Sequence, residues 1–132
     1  MRGLDTNILI RFLVRDDIKQ AEKVFTLFKQ AESKRHLFFI SNFTVIETVW
    51  VLSKLYKCSN KDISNTFNVL LSIPIINFES ENLLKEFITI AEKSTLDLAD
   101  LLIGLSGSYN NCKETITFDK KAAKSDLFIL LK

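Results

Sequence analysis

The chain has few of the residues that interrupt regular structure. Its 132 residues include three glycines and one proline, against eleven phenylalanines. So few turn-forming residues and so many large apolar ones exclude a disordered or loop-rich polypeptide. Hydrophobic residues make up 47% of the sequence, which is enough to build a core in a chain of this length. We therefore expect a single folded domain over residues 1–132.

Cysteine and histidine are also scarce. Cys58 and Cys112 have no cysteine or histidine neighbour at zinc-binding spacing, and His36 is the one histidine. This pattern excludes a histidine-rich metal site. Nothing in the chain demands a disulfide, so we expect both thiols to be reduced.

Long apolar runs and a surplus of charge are missing as well. No stretch approaches the roughly 18 apolar residues that indicate a membrane-spanning helix. Asp5 interrupts the apolar region that a signal peptide would need, and Arg11 and Arg15 follow closely. We expect a soluble, cytoplasmic protein. The formal net charge of +2 gives no case for nucleic-acid binding by the surface as a whole.

Strand-like and helix-like segments alternate along the chain. The predicted strands are residues 2–5, 37–40, 75–76, 114–118 and 127–131, and the helices between them begin near residues 8, 18, 42, 60, 80, 96 and 120. Gly104 and Gly107 would let the helix that contains them pack closely. Alternation of this kind predicts an α/β fold, a three-layer α/β/α sandwich with a central, mainly parallel sheet.

Several carboxylates stand in otherwise apolar segments. Asp5 is the only charge between Arg2 and Arg11, Glu47 the only one between His36 and Lys54, and Asp97 and Asp100 the only ones between Lys93 and Lys113; Asp119 follows the apolar-leaning run of residues 115–118. An ionised carboxylate that is buried without a partner costs several kcal/mol, so it is normally paired or bound to a metal.

The predicted fold brings these acids together. Asp5 closes the first strand and Asp119 follows another, so both emerge at the carboxyl edge of the sheet, where ligands bind. Asp97 and Asp100 share one helix face, and Glu47 lies in a helix that follows a strand. Two carboxylates about 4 Å apart repel by roughly 4 kcal/mol at an effective dielectric of 20. No compensating cation stands near them in the sequence pattern, so the cluster predicts a bound cation, and its oxygen ligands suit Mg²⁺ or Mn²⁺.

Such a site has an evident chemistry. Hard divalent ions activate water, position a phosphodiester and stabilise the leaving oxygen. The flanking basic residues are available to hold a nucleic-acid backbone: Arg11, Arg15, Lys54, Lys57, Lys120, Lys121 and Lys124. Each acid by itself has a structural explanation, since Asp5 and Asp97 suit helix caps, Glu47 suits a solvent-facing position and Asp119 suits the start of a short helix. The alternative to one shared site requires all four of these separate structural explanations to be true at once.

Four segments of the chain resemble the PIN-domain ribonucleases and, within them, the VapC-type toxins of type II toxin–antitoxin pairs. In order, these segments are Leu4–Asp17, Val45–Leu52, Asp97–Ile103 and Thr117–Lys120. The resemblance implies an endoribonuclease that depends on Mg²⁺ or Mn²⁺, with Asp5, Glu47, Asp100 and Asp119 as metal-site acids. It implies supporting positions for Thr6, Asn7 and Thr117, which would orient carboxylates or water, and for Asp97 at the rim.

The resemblance also implies partners. It predicts a homodimer, inhibition by a cognate VapB-type antitoxin, and binding of operator DNA only through that antitoxin. Gly104 stands where the family more often has alanine, a difference that we expect to be harmless.

Two other classes of function compete with the nuclease. A receiver-like or haloacid-dehalogenase-like phosphoacceptor domain has a similar α/β pattern, but it needs a second acid near the first strand, where Asp5 is followed by Thr6 and Asn7. A non-catalytic RNA-binding scaffold with the PIN fold is the other alternative. The intact set of acids argues against it.

Overall fold

The computed structural model describes residues 1–132 as alternating strands and helices. The strands are β1 (Arg2–Gly3), β2 (Phe38–Ile40), β3 (Ile76–Phe78), β4 (Thr115–Thr117) and β5 (Phe128–Leu130). The helices are α1 (Thr6–Leu13), α2 (Ile18–Lys34), α3 (Asn42–Lys54), α4 (Asn60–Leu71), α5 (Glu81–Ala91) and α6 (Leu98–Tyr109), with a 3₁₀ turn at Ala122–Lys124. None of these helices combines the length and the hydropathy that crossing a membrane requires.

Every strand pairing is parallel, as an α/β fold requires. Strands β1, β2 and β3 form one ladder with β2 in the centre, and β4 and β5 form a second ladder. The predicted α/β sandwich with a parallel sheet is confirmed. The strands divide into two ladders, and all are shorter than predicted except β3, which covers residues 76–78 instead of 75–76. The backbone N–H of Leu4 still donates to the carbonyl oxygen of Phe39 at 2.9 Å, so hydrogen bonding along β1 continues to the residue before Asp5.

Helix capping corrects two of the predicted boundaries. Helix α1 begins at Thr6 rather than near Ile8, because Asp5 is in the extended conformation and its Oδ1 accepts a hydrogen bond from the Ile8 N–H at 3.2 Å. Helix α6 begins at Leu98, because Asp97 Oδ1 accepts from the Ala99 N–H at 2.9 Å. Two of the singled-out acids therefore have a structural role as helix caps.

A single cluster of 27 buried apolar residues holds these elements together. The ring of Phe28 on α2 contacts Phe12 at 4.8 Å and Phe38 at 5.3 Å between centroids, which joins α1, α2 and β2. The rings of Phe67 and Phe87 meet edge to face at 6.4 Å and join α4 to α5. These contacts fix the strand ends from which the acids emerge.

Helix α6 packs against the second ladder through its glycines. A Cβ atom added at Gly104 would lie 2.8 Å from Phe128 Cε2 and 2.9 Å from Leu127 Cβ, and one added at Gly107 would lie 2.7 Å from Thr115 Oγ1. The close packing predicted for these glycines is confirmed. At position 104, Leu127 and the start of β5 fill the space that an alanine methyl group would need.

Candidate functional site

Asp100 lies at the centre of the acidic residues that the structure brings together. It is half-buried in the first turn of α6. Its pKa is raised above the usual value, first by desolvation and then by the negative charges of Asp97 and Asp119. Carboxylates from two separate segments are therefore close enough to oppose each other's ionisation.

Lys54 is the cation beside this group. Its Nζ lies 2.9 Å from Asp97 Oδ2, which joins the last turn of α3 to the start of α6. The hydrogen bond from Lys54 is the largest cause that lowers the pKa of Asp97, and the same contact raises the pKa of Lys54. The expectation that no compensating cation stands near the acids is therefore wrong. Because α3 packs against α6, Lys54 reaches Asp97 and acts as the compensating cation. From the sequence, Lys54 was counted only among the flanking basic residues.

Replacing Lys54 with methionine should raise the pKa values of both Asp97 and Asp100. Asp97 has a folded-state pKa below its unfolded value, so its contribution to stability is present above that unfolded value and is lost as the pH falls through the folded one. At neutral pH we expect only a small fall in the free energy of unfolding, because the pair is largely exposed to solvent and screened. Side-chain carboxyl NMR titrations and urea unfolding measure these effects. Equal titration midpoints in the two proteins would contradict the pairing.

Asp119 is held by backbone groups at the end of β4. Its Oδ1 accepts hydrogen bonds from the N–H groups of Lys121 at 2.8 Å and Ala122 at 3.3 Å. The hydroxyl oxygen of Thr117 accepts from the Asp119 N–H at 3.0 Å. Thr117 thus contacts the backbone of Asp119 rather than a carboxylate. The whole arrangement fixes an exposed carboxylate next to Asp100.

Asp5 and Glu47 make no direct contact with Asp97, Asp100 or Asp119. Asp5 is exposed and accepts from the Ile8 N–H, and neither acid contributes to the raised pKa of Asp100. Glu47 is exposed on α3, two turns before Lys54 on the same helix face. The hydroxyl group of Thr44 donates to the carbonyl oxygen of Leu4 at 3.5 Å, which ties the first turn of α3 to the residue before Asp5. The charges of Asp97 and Asp119 therefore act on Asp100, and no hydrogen bond or ion pair links Asp5 or Glu47 to these three acids.

No group of three or more carboxylate, imidazole or thiol side chains is close enough to hold a metal ion. The available donors nevertheless fit a hard divalent cation, since they are carboxylate oxygens with no thiol or imidazole among them. A cation beside Asp100 would offset the desolvation, and the repulsion from Asp97 and Asp119, that together raise its pKa. The four-carboxylate centre of Asp5, Glu47, Asp100 and Asp119 stays a prediction.

A hydrogen-bond network beside Asp5 contains residues that the sequence did not single out. The Nε of Arg11 donates to Gln20 Oε1 at 2.6 Å, and its Nη1 donates to Asp16 Oδ1 at 3.2 Å. The hydroxyl group of Tyr56 donates to Asp16 Oδ2 at 2.7 Å, and this bond is the largest cause that lowers the pKa of Asp16. Arg11 and Asp16 lie in the first of the four segments that carry the family resemblance, Leu4–Asp17. Nothing in the local pattern distinguished Gln20 or Tyr56.

A separate apolar pocket of about 220 Å³ lies between α3, β3, α5 and α6. Its lining includes Phe43 and Ile103, whose side chains are largely exposed. It lacks carboxylates, so it is distinct from the acidic group.

Comparison with known proteins identifies the family of this chain. The family model of the PIN domain matches residues 4–126. A protein of Aquifex aeolicus (strain VF5) named VapC ribonuclease is 26% identical over 124 residues, which cover 94% of this chain and 91% of that protein. The matched range contains every predicted site residue from Asp5 to Asp119. The resemblance drawn from the four sequence segments is confirmed.

Proposed function

Because this chain belongs to the PIN domain family, we propose that it is an endoribonuclease, dependent on Mg²⁺ or Mn²⁺, that acts as the toxin of a type II toxin–antitoxin pair. The similarity to a protein named VapC ribonuclease over nearly the full length of both chains supports this function. The observation that carries the proposal is the partly buried carboxylate of Asp100, whose pKa is raised first by desolvation and then by the negative charges of Asp97 and Asp119.

In this proposal, Asp5, Glu47, Asp100 and Asp119 hold the divalent ion. When bound, the ion supplies activated water and charge stabilisation at the leaving oxygen of a phosphodiester. Asp5 uses Oδ1 to cap α1, which leaves its other oxygen free to face the ion. Glu47 either binds the ion or accepts a proton from the attacking water at its carboxylate.

The neighbouring residues have positioning roles in this proposal. The Asp119 carboxylate is preset by two backbone N–H groups, and Thr117 fixes the backbone before them. Lys54 forms an ion pair with Asp97, and this pairing keeps the Asp97 carboxylate at the rim of the site. Thr6 and Asn7, which directly follow Asp5, complete the set of residues that orient carboxylates or water.

The proposed partners are RNA as substrate, a cognate VapB-type antitoxin, operator DNA through that antitoxin, and a second copy of the chain, all in the cytoplasm. Exposed apolar side chains on α3 and α6 support the proposal that a second protein chain covers this surface. Phe43 is 84% exposed, and Trp50 and Ile103 are 48% and 46% exposed.

Metal-dependent cleavage of RNA tests the function. Purified protein should cleave cellular RNA when Mg²⁺ or Mn²⁺ is added and should stop when the ion is chelated. Calorimetry should show that the protein binds Mg²⁺ in the absence of RNA. RNA binding without cleavage in either ion would indicate a scaffold, and a lasting acyl-phosphate on Asp5 after incubation with acetyl phosphate would indicate a phosphoacceptor domain.

A further inference from the structure

An open groove of about 400 Å³ runs between α1 and α2, next to Asp5. Seven residues line it: Asp5, Asn7, Ile8, Arg11, Gln20, Lys23 and Val24. Five of the seven are polar or charged, and none is aromatic. One end of the groove therefore lies at a carboxylate that the proposed function places at the reaction centre.

Arg11 presents a fixed guanidinium group to this groove. Two of its N–H groups donate to Gln20 and Asp16, at 2.6 Å and 3.2 Å, and Tyr56 holds Asp16 in turn. The remaining N–H groups of the guanidinium have no protein partner. An arginine side chain fixed in this way has lost its rotamer freedom before a ligand binds, and its planar fork matches the oxygens of a phosphate.

Lys23 supplies an unpaired positive charge to the same groove. It lies one turn after Gln20 on the same face of α2 and is exposed. It takes part in none of the three ion pairs of the chain, which join Arg11 to Asp16, Lys54 to Asp97 and Lys85 to Glu81. Asp16 offsets part of the charge of Arg11, so Lys23 is the cation of the groove that no carboxylate pairs with. Asp5, at one end of the groove, is the carboxylate that the proposed function assigns to the divalent ion.

We propose that the groove between α1 and α2 binds a backbone phosphate of the RNA strand, adjacent to the phosphate that is cleaved, through Arg11 and Lys23. The proposal rests on the proposed nuclease function, because it takes Asp5 as the neighbouring reaction centre. A phosphate fits better than a base, since the groove has no aromatic side chain on which a base would stack. A phosphate also fits better than a peptide side chain, since only Ile8 and Val24 offer apolar contact.

The test compares Lys23→Ala with Lys29→Ala. Both changes remove one lysine from α2, but the amino group of Lys29 lies over the Phe25 ring at 5.4 Å and outside the groove. Binding of a short fluorescein-labelled single-stranded RNA is measured by anisotropy at several salt concentrations, with Ca²⁺ in place of Mg²⁺ to prevent cleavage. Lys23→Ala should reduce the slope of log affinity against log salt by about 0.7, the value of one phosphate contact on a single strand. Lys29→Ala should leave that slope unchanged.

Neutral methylphosphonate linkages then identify the phosphate. In the unaltered protein, replacing one linkage beside the cleavage point should weaken binding, whereas the same replacement should cost the Lys23→Ala protein little more. Arg11→Lys keeps the positive charge but loses the planar guanidinium group, which can bind a phosphate through two N–H groups. It should weaken binding with little change in the salt slope, and urea unfolding shows whether the variant remains folded.

Each outcome of these measurements decides a different claim. Equal slopes for the two lysine variants, with RNA still bound and cleaved, would overturn the groove assignment and leave the nuclease function standing. Failure of the unaltered protein to bind or cleave RNA would overturn both. Loss of binding to polyglutamate, but not to RNA, in Lys23→Ala would assign the groove to an acidic protein segment instead.

Discussion

Replacing Asp5 with asparagine should abolish RNA cleavage and leave the protein as stable as before. Asparagine is as good an N-cap as aspartate, so the hydrogen bond from the Ile8 N–H is kept. The negative charge that would bind a divalent ion is lost. Substitution of groups that merely support metal ligands costs about 10–100-fold, so we expect the loss of a ligand to exceed about 100-fold in initial rate. Full activity of Asp5→Asn with magnesium as the only added metal would defeat the assignment.

Asp5→Ala separates the two roles of this residue. It removes both the charge and the cap, so it should lose cleavage and, in addition, about 1 kcal/mol of unfolding free energy. Asp17 provides a matched control, because it caps α2 through the same kind of bond, from the Gln20 N–H to Oδ1 at 3.1 Å. Asp17→Ala should lose stability alone. Urea unfolding and cleavage rates of the same preparations measure both quantities.

Replacing Gly104 with alanine should destabilise the protein, although alanine favours a helix over glycine by about 1 kcal/mol. The added methyl group would lie 2.9 Å from Leu127 Cβ and 2.8 Å from the ring of the buried Phe128. Neither is the free end of a flexible side chain. Overpacking of this kind typically costs about 1–3 kcal/mol, so α6 and β5 must move apart or strain.

Gly107→Ala provides the comparison for this prediction. Its methyl group would meet the hydroxyl oxygen of Thr115, which a rotation about χ1 can move away. The gain in helix propensity should then roughly offset the cost. Thermal and urea unfolding measure the stability of the two variants. Equal unfolding midpoints would show that α6 and β5 accommodate the added methyl group at position 104 without loss of stability.

Much of the secondary structure could be predicted from the sequence, because it depends on interactions within short segments of the chain. The helix starts predicted near residues 60 and 80 agree within one residue with the helices Asn60–Leu71 and Glu81–Ala91, each of which buries one face against the same core. The helix starts at Asp5 and Asp97 were placed less well. A short polar segment contains several residues able to cap, and only the backbone conformation decides which of them does so.

The sequence identified the acidic residues of the candidate site but did not predict which side chains contact one another. The charges of Asp97 and Asp119 act on Asp100, whereas the predicted centre of Asp5, Glu47, Asp100 and Asp119 stays a prediction. The pairing of Lys54 with Asp97 was missed, because the approach of α3 to α6 depends on side-chain packing across the core. The groove cation Lys23 was also missed, since a lysine on an amphipathic helix is ordinarily a solvated side chain.

The sequence by itself determined the α/β pattern, the family and the carboxylates that the chain offers for chemistry, because hydrophobic periodicity and isolated charges are properties of local segments. The tertiary structure decided which of those carboxylates meet, which one is paired with a lysine, and where unpaired positive charge lies beside Asp5. These relations join residues that are far apart in the chain. They depend on the distances between packed helices, and charges act on one another through space, whatever their separation in sequence.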